Sequence, residues 1–135
     1  MKLKLEIVTA QKVVFSDEVD SITLPTTSGE VTILPQHENL VSQIGTGEMR
    51  IKKQGKEIPF ALTGGFLEVA GDSVTVLAEH AIAADDIQIA KAKEAQERAK
   101  KRLEDKLTDN DFRLAQGELR KALIELKVAV KYKGR

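Results

Sequence analysis

Along the first 80 residues, apolar and polar positions alternate in short runs separated by turn residues. Leu3, Leu5 and Ile7 alternate with Lys2, Lys4 and Glu6, the period of two that a half-buried strand requires. Val13 to Phe15 and Val19 to Leu24 continue in this style, and Pro25 is expected to close the second run. Val31 to Leu34 ends at Pro35, and Leu40 to Ile44 ends at Gly45. Glu48 to Lys53 and Glu57 to Leu62 flank Gln54-Gly55, a hairpin signal. Phe66 to Ala70 and Val74 to Leu77 flank Gly71-Asp72-Ser73, a second one. Such frequent punctuation, with no helical stretch between, predicts an antiparallel β-sandwich or flattened barrel over residues 1–84.

The period changes near Ala84. From Asp85 to Leu107 there is neither Gly nor Pro, and Ala, Lys, Glu and Gln dominate, all good helix formers. Asp85 stands as the expected N-cap, with Gln88 three residues on in capping-box fashion. Ile89, Ala92, Ala99, Leu103 and Leu107 make a thin apolar stripe. Thr108-Asp109-Asn110-Asp111 interrupts it and offers a second cap; Phe112, Ala115, Leu119, Ala122, Leu126 and Val130 then mark one face of a second helix. A short polar link between two helices predicts an antiparallel hairpin over 85–135, so the fold class is α+β. Burial stabilises by about 25 cal/mol per Å² of apolar surface, so a seam made mostly of Ala holds the hairpin only marginally. The hairpin reads as a movable arm on a firm β domain.

Composition narrows the chemistry. The chain has 135 residues and no cysteine, which excludes disulfides, thiolate metal sites and thiol catalysis. No run approaches the roughly 20 apolar residues that span a bilayer, and the alternating start lacks a signal peptide's apolar block, so no direct membrane insertion is expected. Formal net charge is zero, but residues 1–84 carry 7 basic against 11 acidic side chains and residues 85–135 carry 14 against 10. The two halves are built for different surroundings.

No catalytic constellation is evident. His37 and His80 are the only histidines, and neither has a second ligand at zinc-site spacing. Asp85-Asp86 fits the acidic preference of a helix N-terminus. Gly45-Thr46-Gly47 and Gly64-Gly65 are expected between strands, where tight turns need them. The remaining candidates are basic: Arg98, Lys100, Lys101 and Arg102 on the first helix, and Arg113, Arg120, Lys121 and Lys127 on the second. They suit either a solvated face with i,i+4 partners, such as Glu97-Lys101 and Glu94-Arg98, or a surface that meets an acidic protein. Nucleic acid is not an expected partner, because no aromatics interleave with the basic residues.

The run Leu24-Pro25-Thr26-Thr27-Ser28-Gly29-Glu30-Val31-Thr32-Ile33-Leu34-Pro35-Gln36-His37 resembles the signature of the epsilon subunit of F-type ATP synthase. Leu40, Gly45 and Gly47 follow in that family's order. A second match is Thr63-Gly64-Gly65-Phe66-Leu67-Glu68-Val69, with Val74-Thr75-Val76-Leu77-Ala78-Glu79 after it. The likeness extends over the whole chain, since the family also ends in a two-helix hairpin.

The resemblance implies a non-catalytic subunit of the rotating central stalk, peripheral at the cytoplasmic face of a bacterial cell membrane. Its implied partners are the gamma subunit, the c-subunit ring and the beta and alpha subunits of the catalytic head. It would help couple proton flow to ATP synthesis, and its hairpin would extend along gamma to restrain hydrolysis. On that basis His37 and the basic residues Arg98, Lys101, Arg102, Arg113, Arg120, Lys121 and Lys127 are candidate partner contacts. Some bacterial members of the family bind ATP through Ile-Asp-x-x-Arg-Ala at the start of the first helix. Here that segment is Ile87-Gln88-Ile89-Ala90-Lys91-Ala92, which keeps Ile87 and Ala92 but has Gln88 for Asp and Lys91 for Arg. Gln supplies no carboxylate and Lys no bidentate fork, so no cofactor is expected. The alternative is a nucleotide sensor whose hairpin responds to ATP.

Overall fold

A computed structural model describes residues 1–133, so the last two residues of the expected hairpin segment lie outside the described ones. The strands are β1 Leu3–Val8, β2 Val13–Val19, β3 Ser21–Thr26, β4 Gly29–Ile33, β5 Leu40–Gln43, β6 Gly47–Lys53, β7 Lys56–Ala70 and β8 Ser73–Ala83. The helices are α1 Ile89–Leu103 and α2 Asp109–Lys133. The sheet runs β2-β1-β8-β7-β6-β3-β4, with β5 on the far half of β7. It wraps on itself as a sandwich: Phe15 of β2 meets Phe60 of β7 edge-to-face at 5.9 Å, although β1 and β8 separate those strands in the sheet. The alternating positions Leu3, Leu5 and Ile7 enter the core, as their period predicts. One pairing departs from the antiparallel expectation, since β1 and β8 run parallel from Lys4↔Ser73 to Val8↔Leu77.

Two proline and glycine readings change. Pro25 does not close a strand but lies within β3. Pairing of β3 with β6 stops at Thr23, and the Pro25 carbonyl accepts from the Gly45 N–H at 3.2 Å on the edge its own nitrogen faces. The missing donor therefore removes no ladder bond. Gly64-Gly65, expected between two strands, lies inside one 15-residue strand. Pairing with β8 keeps one register on both sides, Thr63↔His80 and Gly65↔Ala78. The strand bends there, pairing β6 with its first half and β5 with its second. Gln54-Gly55 and Gly71-Asp72 form the expected hairpin turns, with positive φ at Gln54, Gly55 and Gly71.

The hairpin starts differently from its sequence pattern. Asp85 is not an N-cap: Ala84–Asp86 makes a single 3₁₀ turn, and Gln88 precedes α1 in extended geometry without a side-chain cap. The cause is Ile87, which the extended backbone delivers into an apolar seat where it is 1% exposed. The second cap forms, with the Asp111 N–H donating to Thr108 Oγ1 at 3.1 Å. The seam between the helices buries Ala92 and Ala99 against Ala115 and Ala122, the thin contact that Ala predicts. Phe112 and Val130 of the predicted stripe are exposed instead; at Val130 the reason is that the last turns of α2 face the β domain through Val128 and Ala129.

Candidate functional site

The feature that organises the basic residues is the seat of the hairpin on the β domain. Ala61, Ala84, Ile87, Val128 and Ala129 form its apolar centre, with Ile82, Ile89, Ile124 and Tyr132 around them. This cluster is separate from the sandwich core and far smaller. Beside it lies a polar group that the sequence does not announce. Glu48 of β6 accepts the Tyr132 hydroxyl at 2.7 Å and the Lys131 ammonium at 3.1 Å. Arg50 donates to Glu48 at 3.3 Å and to Glu30 at 3.2 Å. Lys133 donates to the Ile87 carbonyl at 2.7 Å. Burial pushes the Glu48 carboxyl up, but the bonds from Tyr132, Lys131 and Arg50 outweigh it and hold it below the ordinary range. These partners are 83 and 84 residues apart in sequence, so no local signal reveals them.

The candidate basic residues do not converge. Arg102 crosses the seam to Glu118 at 3.3 Å, and Lys121 pairs with Glu125 at 3.5 Å. Neither Glu97-Lys101 nor Glu94-Arg98 forms an ion pair among the described residues. Lys101 and Arg113 are exposed. Arg120 borders a groove with Glu79 and His80, and Lys127 borders the cleft beside Glu48. His37 stands elsewhere, on the β4–β5 loop, where its Nδ1 donates to the Glu38 carbonyl at 2.7 Å.

The motif remnants divide. Ile87 turns into the apolar seat, whereas Lys91 and Ala92 line a groove of about 520 Å³ between α1, α2 and the end of β8. Arg98 and Lys121 add positive charge there, and Asp86, Glu118 and Glu125 add negative charge. Among the described residues no group of histidines and carboxylates is arranged to hold a metal ion. No described helix is long and apolar enough to cross a membrane.

Two family models divide the chain as its architecture does. Residues 2–84 match the β-sandwich domain of the ATP synthase delta/epsilon chain, and residues 85–129 match its long α-helix domain. The chain belongs to the ATP synthase delta/epsilon family. Full-length relatives agree with this family. An ATP synthase epsilon chain of Chloroflexus aggregans is 43% identical over 98% of this chain and 96% of its own length. One from Herpetosiphon aurantiacus is 41% identical over 96% and 95%, and one from Dehalococcoides mccartyi 44% over 96% and 94%. In fold, the chain is similar to a component of the Euglena gracilis mitochondrial ATP synthase OSCP/F1/c-ring structure. The TM-score is 0.73, with 23% identity over 97% of this chain and 82% of that one. A component of the Tetrahymena thermophila central stalk/c-ring structure gives 0.65 at 14% identity over 96% and 97%.

Proposed function

We propose that this member of the epsilon family is a non-catalytic central-stalk subunit of a bacterial F-type ATP synthase. Residues 1–84 grip the stalk beside gamma and the c-ring on the cytoplasmic face of the membrane. Residues 85–135 form a movable brake on ATP hydrolysis that reaches the alpha and beta subunits of the head. The observation that carries this reading is the way the arm is held. Its seat is small, and a ridge of Phe112, Leu123 and Val130 remains 43%, 46% and 62% exposed. These three are spaced by 11 and 7 residues, three and two helical turns, and so share one face of α2. A helix that leaves such a face uncovered when docked is suited to a second position against another protein. The basic residues Arg98, Lys101, Arg102, Arg113, Arg120, Lys121 and Lys127 then become the groups that meet acidic loops, and His37 belongs to the stalk-facing side.

The test is to add the purified chain to a catalytic head depleted of epsilon. Hydrolysis falls and the chain co-purifies with gamma. Unchanged hydrolysis together with no co-purification overturns the reading.

A second reading, a nucleotide sensor, would place ATP in the groove beside Lys91. Three carboxylates face its three cations, a balance poorly suited to a polyanion. Saturable heat on titrating ATP into the isolated chain would favour the sensor.

A further inference from the structure

The charges at the foot of α2 form an alternating string across two strands and a helix: Glu30 on β4, Arg50 and Glu48 on β6, Lys131 on α2. Glu48 and Arg50 are two residues apart on one strand and so point to the same side. Beside the apolar seat, Glu48 is the polar group that ties β6 to α2. Its side chain is 14% exposed and accepts from Tyr132 and Lys131 of the helix and from Arg50 of its own strand.

We infer that Glu48 is the latch of the hairpin: its carboxylate holds the last turn of α2 against β6 and sets how often the arm leaves the β domain. Two features make the contact a latch rather than a permanent weld. A carboxylate stripped of all its partners while buried would resist release. Glu48 instead retains Arg50, which stays on β6 and is itself tied to Glu30. On the other side Lys131 is already 50% exposed, so water replaces its partner readily. The Tyr132 hydroxyl, half-buried and 2.7 Å from Glu48, is the bond that release gives up most fully. The apolar seat alone is small, so the docking equilibrium is sensitive to this one cluster.

The latch rests on the proposed two positions of the arm, and its test is made on the isolated full chain, apart from hydrolysis. The absence of cysteine allows a spin-label pair at two exposed sites, Lys56→Cys at the start of β7 and Lys106→Cys at the tip of the hairpin. Pulsed EPR then reads the docked and undocked populations. Glu48→Gln raises the undocked-to-docked ratio about tenfold or more, and Tyr132→Phe raises it about three- to tenfold. Distance distributions in both variants that match the parent overturn the latch. Amide exchange at Met49 and Ile51 reports whether Glu48→Gln leaves β6 intact. If it does not, Tyr132→Phe and Lys131→Gln, both on α2, decide with the same two outcomes. A shifted distribution with unchanged inhibition of hydrolysis keeps the latch and removes the brake. An unshifted one removes the latch whatever hydrolysis does.

Discussion

Gly65 lies against the backbone of Leu77: a Cβ placed on Gly65 would stand 1.8 Å from the Leu77 carbonyl oxygen. Its φ of +118° adds a conformation that L side chains rarely adopt. Gly64 is less constrained, because its φ is +55° and the nearest atoms belong to the movable Glu79 side chain at 2.8 Å. Gly65→Ala is therefore expected to destabilise the β domain by about 3 kcal/mol or more, and Gly64→Ala by about 1 kcal/mol. Urea unfolding of both variants checks the contrast, and equal losses would contradict it.

That pair also shows what the sequence could and could not convey. The strand cores were legible from their alternation, as Leu3, Leu5 and Ile7 demonstrate. Two glycines in a row inside an apolar run signal a special backbone, yet a bend within a strand and a turn between strands carry the same local signature. Only the β8 partner distinguishes them. The hairpin was legible as two helices for similar reasons, and Thr108 marked its second cap correctly. The first cap was misread because Ile87 answers to Val128 and Ala129, more than 40 residues away. Glu48 gave no sequence signal at all: a lone carboxylate on a strand acquires meaning only when Tyr132 arrives beside it.

Thr108 caps the first turn of α2 at the tip of the hairpin. Replacing it by Ala removes the acceptor for the Asp111 N–H and should cost about 1 kcal/mol, whereas Thr108→Ser keeps it and is close to neutral. The loss belongs to the hairpin, so amide exchange should quicken in the first turn of α2 and stay unchanged in β6. Equal quickening in β6 would refute that localisation.

Arg102 and Glu118 join the two helices, but their side chains are 41% and 52% exposed. An ion pair in that setting gains little over water and is screened by salt. A double-mutant cycle with Arg102→Ala and Glu118→Ala should give a coupling of about 0.5 kcal/mol that fades in 1 M salt. A coupling above about 2 kcal/mol would show that the seam depends on this pair more than on its alanines.

Docking of the hairpin should weaken as pH falls. Burial lowers the His80 pKa, Lys121 of α2 lowers it further, and Glu79 and Glu125 pull the other way; its Nδ1 also bonds the Thr63 hydroxyl at 2.8 Å. The part of that depression owed to Lys121 of α2 exists only while the hairpin is docked, so it favours docking above the ordinary histidine value near 6.5. That contribution is lost as pH falls through the folded pKa. Glu48, also depressed, adds a second loss in the carboxylate range as it takes up its proton. The undocked population should thus rise in two steps on acidification, and His80→Gln should abolish the first. A population that falls with acid would reverse the sign and exclude both groups.

The groove beside Lys91 yields the sharpest prediction about ligands. Lys91, Arg98 and Lys121 face it, but so do Asp86, Glu118 and Glu125, leaving it without net charge. A triphosphate entering such a groove would gain from the cations and lose comparably to the carboxylates. Lys91 also offers a point charge where a guanidinium would give two parallel bonds. ATP titrated into the parent chain by calorimetry should therefore give no saturable heat in the micromolar range. The combined variant Gln88→Asp with Lys91→Arg restores the carboxylate and the fork of the family motif, and should bind at least about tenfold more tightly than the parent. Adding Glu125→Gln removes one opposing charge and should tighten it again. Saturable micromolar heat from the parent chain would instead establish that Lys91 and Gln88 suffice, and would make the arm a sensor as well as a brake.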